Sequence, residues 1–166
     1  MLDFKVGDQV VYPSHGVGEV IGDELQIVGS LELRVFIIAL SKDNVTLRVP
    51  VKRATNAGLR KLCSIDNFSA VFDVLQMKSR TSKGMWSKRA QEYEVKINSG
   101  NIDSLAEVVR DLHKNSDDPE RSYSERIIYE SALNRLADEY AAIKGIELDK
   151  SISILTNSLE ERAFAA

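Results

Sequence analysis

The hydrophobic period of this chain changes once, near residue 66, and that change limits what it can fold into. Before it, apolar and polar residues alternate. Val45, Leu47 and Val49 fall on one side of a strand, Thr46 and Arg48 on the other. After it, apolar residues recur at helical spacing, with Phe68, Val71, Phe72 and Leu75 at i, i+3, i+4 and i+7. Each pattern buries one face only in its own kind of element. The chain therefore reads as α+β by domains. Residues 1–66 are expected to form a small antiparallel β-barrel of the SH3 or Tudor sort, and residues 67–166 a compact all-α domain of about five helices.

Turn chemistry supplies the punctuation. A β-rich run at Gln9 to Tyr12 stops at Pro13-Ser14-His15-Gly16. Strand character resumes over 17–28, interrupted at Gly22-Asp23, and Gly29-Ser30 is a two-residue hairpin signal. Residues 31–40 follow, with Leu31, Leu33, Val35, Ile37 and Ala39 on one face, and Pro50 ends the next strand or marks a sheet edge. Asp66 or Asn67 is placed to cap the first helix. Helical stripes then run through Trp86, Ala90, Tyr93 and Ile97, and through Ile102, Leu105, Val109 and Leu112. Others run through Tyr129, Leu133, Leu136 and Tyr140, and through Leu148, Ile152, Leu155 and Leu159.

Composition excludes several classes. The single Cys63 cannot form an internal disulfide, and two histidines with one cysteine are too few for a structural zinc site of the Cys/His kind. The longest apolar run, Val35 to Leu40, is six residues long, so no membrane span is expected. Asp3, Lys5 and Asp8 precede any apolar stretch, which argues against a signal peptide and for a cytoplasmic protein. The glycines at 16, 18 and 22 are one residue out of step with a dinucleotide fingerprint, and strand follows where phosphate binding needs a helix N-terminus. Ser14, His15 and Asp8 resemble a triad fragment, but a turn histidine bonding local backbone explains His15 more simply. His113 suits a helix C-terminus. No catalytic residue, metal or cofactor is expected, and the chain reads as no enzyme.

Charge is unevenly spread, and two features stand out from it. The chain carries a net charge of -3. Residues 67–100 hold 6 basic and 3 acidic side chains, whereas residues 101–166 hold 8 basic and 14 acidic. The excess of base is concentrated in 78–89, where five of twelve residues are basic, none is acidic, and the only tryptophan stands. Lys83, Trp86, Ser87, Lys88 and Arg89 have the composition of a phosphate-contacting surface with an aromatic wedge. Spacing equally allows Trp86 to be a core residue of the stripe it shares with Tyr93. The second feature is Arg48, on the polar face of a candidate edge strand. Such a strand offers backbone groups to a partner strand, and an arginine beside them can take a partner carboxylate in a bidentate pair.

The opening Phe4-Lys5-Val6-Gly7-Asp8-Gln9-Val10-Val11-Tyr12-Pro13-Ser14-His15-Gly16-Val17-Gly18, with Leu47-Arg48-Val49-Pro50, Trp86-Ser87-Lys88-Arg89 and Ala106-Glu107-Val108-Val109-Arg110-Asp111-Leu112, resembles the CarD/CdnL family of bacterial RNA-polymerase-binding transcription regulators. The first landmark is shared with transcription-repair coupling factors. The resemblance implies a Tudor-like domain that extends a β-sheet of the polymerase β subunit. Arg48 lies on the docking strand, flanked by Leu47, Val49 and Pro50. It also implies a helical domain contacting promoter DNA, minor groove and phosphates, at the upstream edge of the bubble. There Trp86 would wedge and slow bubble collapse, with Lys88 and Arg89 beside it. Two positions depart from the pattern: Gln91 stands near a place where some relatives carry a basic residue, and Leu25-Gln26-Ile27 lacks a second arginine. A few phosphate contacts on an acidic body imply weak binding to free DNA, about 10⁻⁴ to 10⁻⁶ M. The expectation is a monomeric, non-enzymatic regulator of the open promoter complex. The alternative is a protein-binding adaptor without direct DNA contact.

Overall fold

A computed structural model describes residues 4–41, 44–80, 84–113 and 122–165, with side chains through Glu161. The chain divides into two compact units, Met1–Leu62 and Cys63–Ala166.

The first unit is an antiparallel sheet. Its strands are β1 (Gln9–Tyr12), β2 (Gly16–Val28), β3 (Leu31–Leu40), β4 (Thr46–Pro50) and β5 (Arg60–Lys61), with a short helix α1 (Val51–Ala57) between the last two. The strand order is β4-β3-β2-β1-β5, so β4 and β5 are the two edges. The sheet is thus open, not closed into the expected barrel. The reason is the length of β5, which pairs with β1 at Val10 and Val11 and has no further residues to reach β4. Helix α1 instead lies against β3 and β4 and puts Ala54 into the core, with Leu59 just beyond it. Alternation missed this helix because seven residues with one buried side chain carry no readable period. Its signals were Pro50 at the N-cap and Gly58 at φ 82 at the C-cap.

The core of this unit gathers Phe4, Val10, Tyr12, Val20, Phe36, Ile38, Leu40 and Val49. Of β3, the even-numbered side chains therefore face the core. Leu31 and Leu33 lie beyond it, exposed on the β2–β3 ribbon. A bulge between Val20 and Gly22 lets the ribbon turn away from the core sheet. Gly18 is where two strands approach most closely: a Cβ there would sit 2.8 Å from Ile38 Cγ2 and 2.9 Å from the Ala39 carbonyl oxygen.

The second unit is helical: α2 (Ile65–Leu75), α3 (Trp86–Asn98), α4 (Ile102–Leu112), α5 (Tyr123–Lys144) and α6 (Leu148–Ala165). The cap of α2 is Ser64, whose hydroxyl accepts from Asn67 N–H at 3.1 Å, and neither Asp66 nor Asn67 fills that position. The expected boundary at 66/67 falls inside the first turn of this helix. Phe68, Val71, Tyr93, Ile97, Val109, Leu112, Leu133, Leu136, Tyr140 and Leu155 share one core. The carboxylate of Glu139, 1% exposed, accepts the Cys63 amide proton at 2.8 Å and ties the lead-in of α2 to α5. Among the described residues no helix is long and apolar enough to cross a membrane, and no cluster of side chains could hold a metal.

Replacing Gly18 by Ala forces a methyl against a carbonyl that cannot move without breaking the β2–β3 ladder. The expected cost is about 1–3 kcal/mol, read by denaturant unfolding.

Candidate functional site

The β4 edge comes first. The Leu40 amide donates to the Val45 carbonyl at 2.9 Å, and β3–β4 register continues as Ile38 with Leu47 and Phe36 with Val49. Antiparallel alternation then turns the backbone groups of Leu47 and Val49 inward to β3. Those of Thr46 and Arg48 point outward, where no strand follows. Pro50 has no N–H and begins α1, which ends the row. The side chains divide the other way. Val49 is buried and Leu47 half-buried against the core, so they hold the strand in place; Pro50 is half-buried.

Arg48 lies on the opposite face and is exposed. Its Nη2 donates to Glu24 Oε2 at 2.6 Å, reaching from β4 across β3 to β2. Both partners are about half exposed, so the pair adds little to stability. It holds the guanidinium over the exposed face of the sheet, on the inner side of β4. Farther along the ribbon, on the other face, Arg34 grips Asp23 in a bidentate pair at 2.9 and 2.6 Å. The hydrogen bond from Arg34 holds the Asp23 carboxyl below its usual 3.8. Leu25 and Ile27 are exposed on this ribbon and Gln26 is half-buried.

Trp86 opens α3 and is half-buried. One side of the indole lies on the helical core, with its ring centroid 6.3 Å from that of Tyr93. Its Nε1–H donates to Ser124 Oγ, in the first turn of α5, at 3.2 Å. The Arg89 guanidinium sits 5.4 Å from the indole and 6.0 Å from the Tyr93 ring, and its Nη2 donates to the Tyr93 hydroxyl at 3.4 Å. Trp86 is thus half-buried, held between the helical core, Ser124 and the Arg89 guanidinium. Ser87 and Lys88 are exposed beside it and Arg89 is half-buried; Lys83 lies outside the described residues. Gln91 is exposed on the following turn of α3.

The Ala106–Leu112 stretch contacts the segment before α3. Arg110 and Asp111 form a buried ion pair at 2.8 Å. Asp111 also accepts the Arg80 amide at 2.9 Å, and the Arg110 carbonyl accepts from Ser79 Oγ at 2.9 Å. The start of the basic stretch, at Ser79 and Arg80, is thereby tied to α4. Sequence reading did not single out Ser124, the partner of the indole N–H. The other candidates have local roles. Asp8 accepts the Lys5 amide at 2.9 Å, His15 stacks edge-on against Tyr12, and His113 Nδ1 lies 2.7 Å from the Tyr129 hydroxyl.

The Asp23–Arg34 pair sets a pH dependence. A depressed carboxyl keeps its ion pair above its ordinary value and loses it only as pH falls through the lowered one. In an NMR titration, Arg34→Ala is expected to return Asp23 to about 3.8, the value of an unpaired aspartate.

Comparison with known proteins matches both units in order. Residues 4–63 match the family described as the CarD-like/TRCF RID domain, and residues 70–156 the one described as the CarD, C-terminal domain. YdeB of Bacillus subtilis (strain 168), named as a candidate transcription factor, is 28% identical over 143 residues, which cover 86% of this chain and 94% of YdeB. The solution structure of the 72-residue N-terminal domain of Myxococcus xanthus CarD is 31% identical, covers 37% of this chain and 81% of that one, and has a TM-score of 0.31. CarD family transcription factors are not enzymes. The chain belongs to the CarD family, a CarD-like transcription factor whose N-terminal unit is an RNA-polymerase-interacting domain.

Proposed function

We propose that this chain docks on the polymerase β subunit by adding a partner strand to the outer edge of β4, and that its helical unit stabilises the open promoter complex. The observation that carries the second half is the divided setting of Trp86: one side is seated and its N–H bonded to Ser124, while Ser87 and Lys88 flank it in solvent. A ring anchored in this way can press between base pairs without folding away. Its basic neighbours, Lys83 included, supply the phosphate contacts. For docking, the outward amides and carbonyls of Thr46 and Arg48 give the hydrogen bonds. Leu47, Val49 and Pro50 hold that edge rigid, and Arg48 exchanges Glu24 for a partner carboxylate.

The energetics support this division. Docking raises the local concentration of the DNA-facing surface to the order of millimolar, so weak DNA contacts suffice. A preference of about 1.4 kcal/mol for unwound over closed DNA shifts the equilibrium tenfold. The reading places the chain in the bacterial cytoplasm, as a monomer, with polymerase and promoter as partners. The adaptor alternative draws on the buried side of Trp86 and would give a polymerase–promoter complex whose response to the protein is insensitive to salt.

Arg48→Glu is expected to reduce co-purification with polymerase by about tenfold or more, through repulsion where a charge pair should form. Undiminished binding would overturn the docking. Trp86→Ala is expected to shorten open-complex lifetime by about tenfold while lowering stability by only about 1–2 kcal/mol, below the roughly 3–5 of a fully buried ring. An unchanged lifetime would leave the adaptor reading in its place.

A further inference from the structure

Helical spacing sets Arg89 between two rings. It stands three residues after Trp86 and four before Tyr93, so the three side chains share one face of α3. The guanidinium lies 5.4 Å from the indole centroid and 6.0 Å from that of the Tyr93 ring. Its Nη2 donates to the Tyr93 hydroxyl at 3.4 Å, and its Nε is buried without a hydrogen-bond partner. Tyr93 itself is 5% exposed and belongs to the helical core. The cation is thus tied to the packed interior of the unit.

A guanidinium grips a phosphate as a fork, through two parallel N–H groups on one edge. In Arg89 the edge that carries Nε and Nη2 is closed to such a grip, because Nε is sealed from water and Nη2 is on Tyr93. The π-faces of the two rings offset the cost of that burial. The indole, for its part, has a single donor, and the bond from Nε1 to Ser124 Oγ at 3.2 Å fixes it at one atom. A bond at one atom tolerates a range of ring tilts, and a cation lying against the ring narrows them. Lys88 is the contrast: it is exposed, and its ammonium is a point charge on a flexible stem.

We infer that Arg89 is a positioning residue: it acts on DNA through the indole, which it holds at a fixed tilt against Tyr93, and makes no phosphate contact of its own. The inference rests on the proposed wedge, and it reassigns a residue that composition alone puts on the phosphates.

The test separates charge from shape. Arg89→Lys keeps the charge but loses the planar group that spans the two rings. Tyr93→Phe keeps every charge and removes one hydroxyl, in a residue too buried to touch DNA. With the full chain, both are expected to shorten the lifetime of the polymerase–promoter open complex, Arg89→Lys about three- to fivefold and Tyr93→Phe about twofold. The double variant is expected to lose no more than Arg89→Lys alone. Trp86 is the only tryptophan, so the fluorescence of the free chain reports its setting. The emission is expected to shift in both variants and to hold in Lys88→Ala. On dye-labelled duplex DNA, Lys88→Ala is expected to lower the slope of log affinity against log salt by about 0.9, the value of one phosphate, and Arg89→Ala to leave it unchanged. A parent-like lifetime in Arg89→Lys, or a slope lowered by about 0.9 in Arg89→Ala, overturns the inference and returns Arg89 to the phosphates. A lifetime that falls only together with the melting temperature, with the emission unchanged, overturns it as well. Should Arg89→Lys fold poorly, Tyr93→Phe decides by the same readings. If Trp86→Ala leaves the lifetime unchanged, the wedge itself falls, and this inference with it.

Discussion

An open sheet cannot satisfy all of its backbone hydrogen bonds from within, and the N-terminal unit is organised around that constraint. Its two outer strands are β4 and β5. β5 is two residues long and leaves little edge, whereas β4 presents the amides and carbonyls of Thr46 and Arg48 in a row. Leu47 and Val49 anchor the strand to the core, and α1 packs against β3 and β4. Such an edge is an aggregation hazard in a free protein. Here it is short, it carries the charged Arg48, and it ends at a proline, three features that discourage pairing with a second copy. On the proposed docking, the same three still admit one short partner strand bearing a carboxylate.

In the helical unit the matching feature is Trp86, held half-buried at the margin of the core. Several contacts work toward that end from separate helices. Ser124 of α5 takes the indole N–H, Arg89 of α3 bridges indole and Tyr93, and the Arg110–Asp111 pair of α4 pins the segment that precedes α3. Buried ion pairs contribute little net stability, but breaking one is costly, so this one fixes geometry more than it adds energy. Its placement explains why Ala106 to Leu112, which touches neither proposed partner, belongs with the landmark residues. Glu139 acts in the same way at the start of the unit, with a buried carboxylate on the Cys63 amide.

Much of this was legible in the chain itself. The strand from Gln9 to Tyr12, the hairpin at Gly29-Ser30 and the helical stripes from Phe68 to Leu159 follow from period and turn chemistry, which are properties of neighbouring residues. Less was legible where an element is too short to show a period, as with α1 and β5. The expectation of a closed barrel failed for a related reason: closure depends on whether two distant edges meet, and no local pattern encodes that. The cap of α2 was misplaced by two or three residues because Ser64, Asp66 and Asn67 are all good capping residues, and only the direction of a hydroxyl separates them.

The sequence by itself determined the two-part architecture, the identity of each long element and the family, because side-chain period, turn residues and ordered landmarks are local. The tertiary structure decided which strand is an edge, how far Trp86 is buried, and which residue takes its N–H. Arg48 meets Glu24 from 24 residues away, and Trp86 meets Ser124 from 38. Pairings at such separations arise from how the elements fold onto one another, and the residues on either side of each partner carry no trace of them.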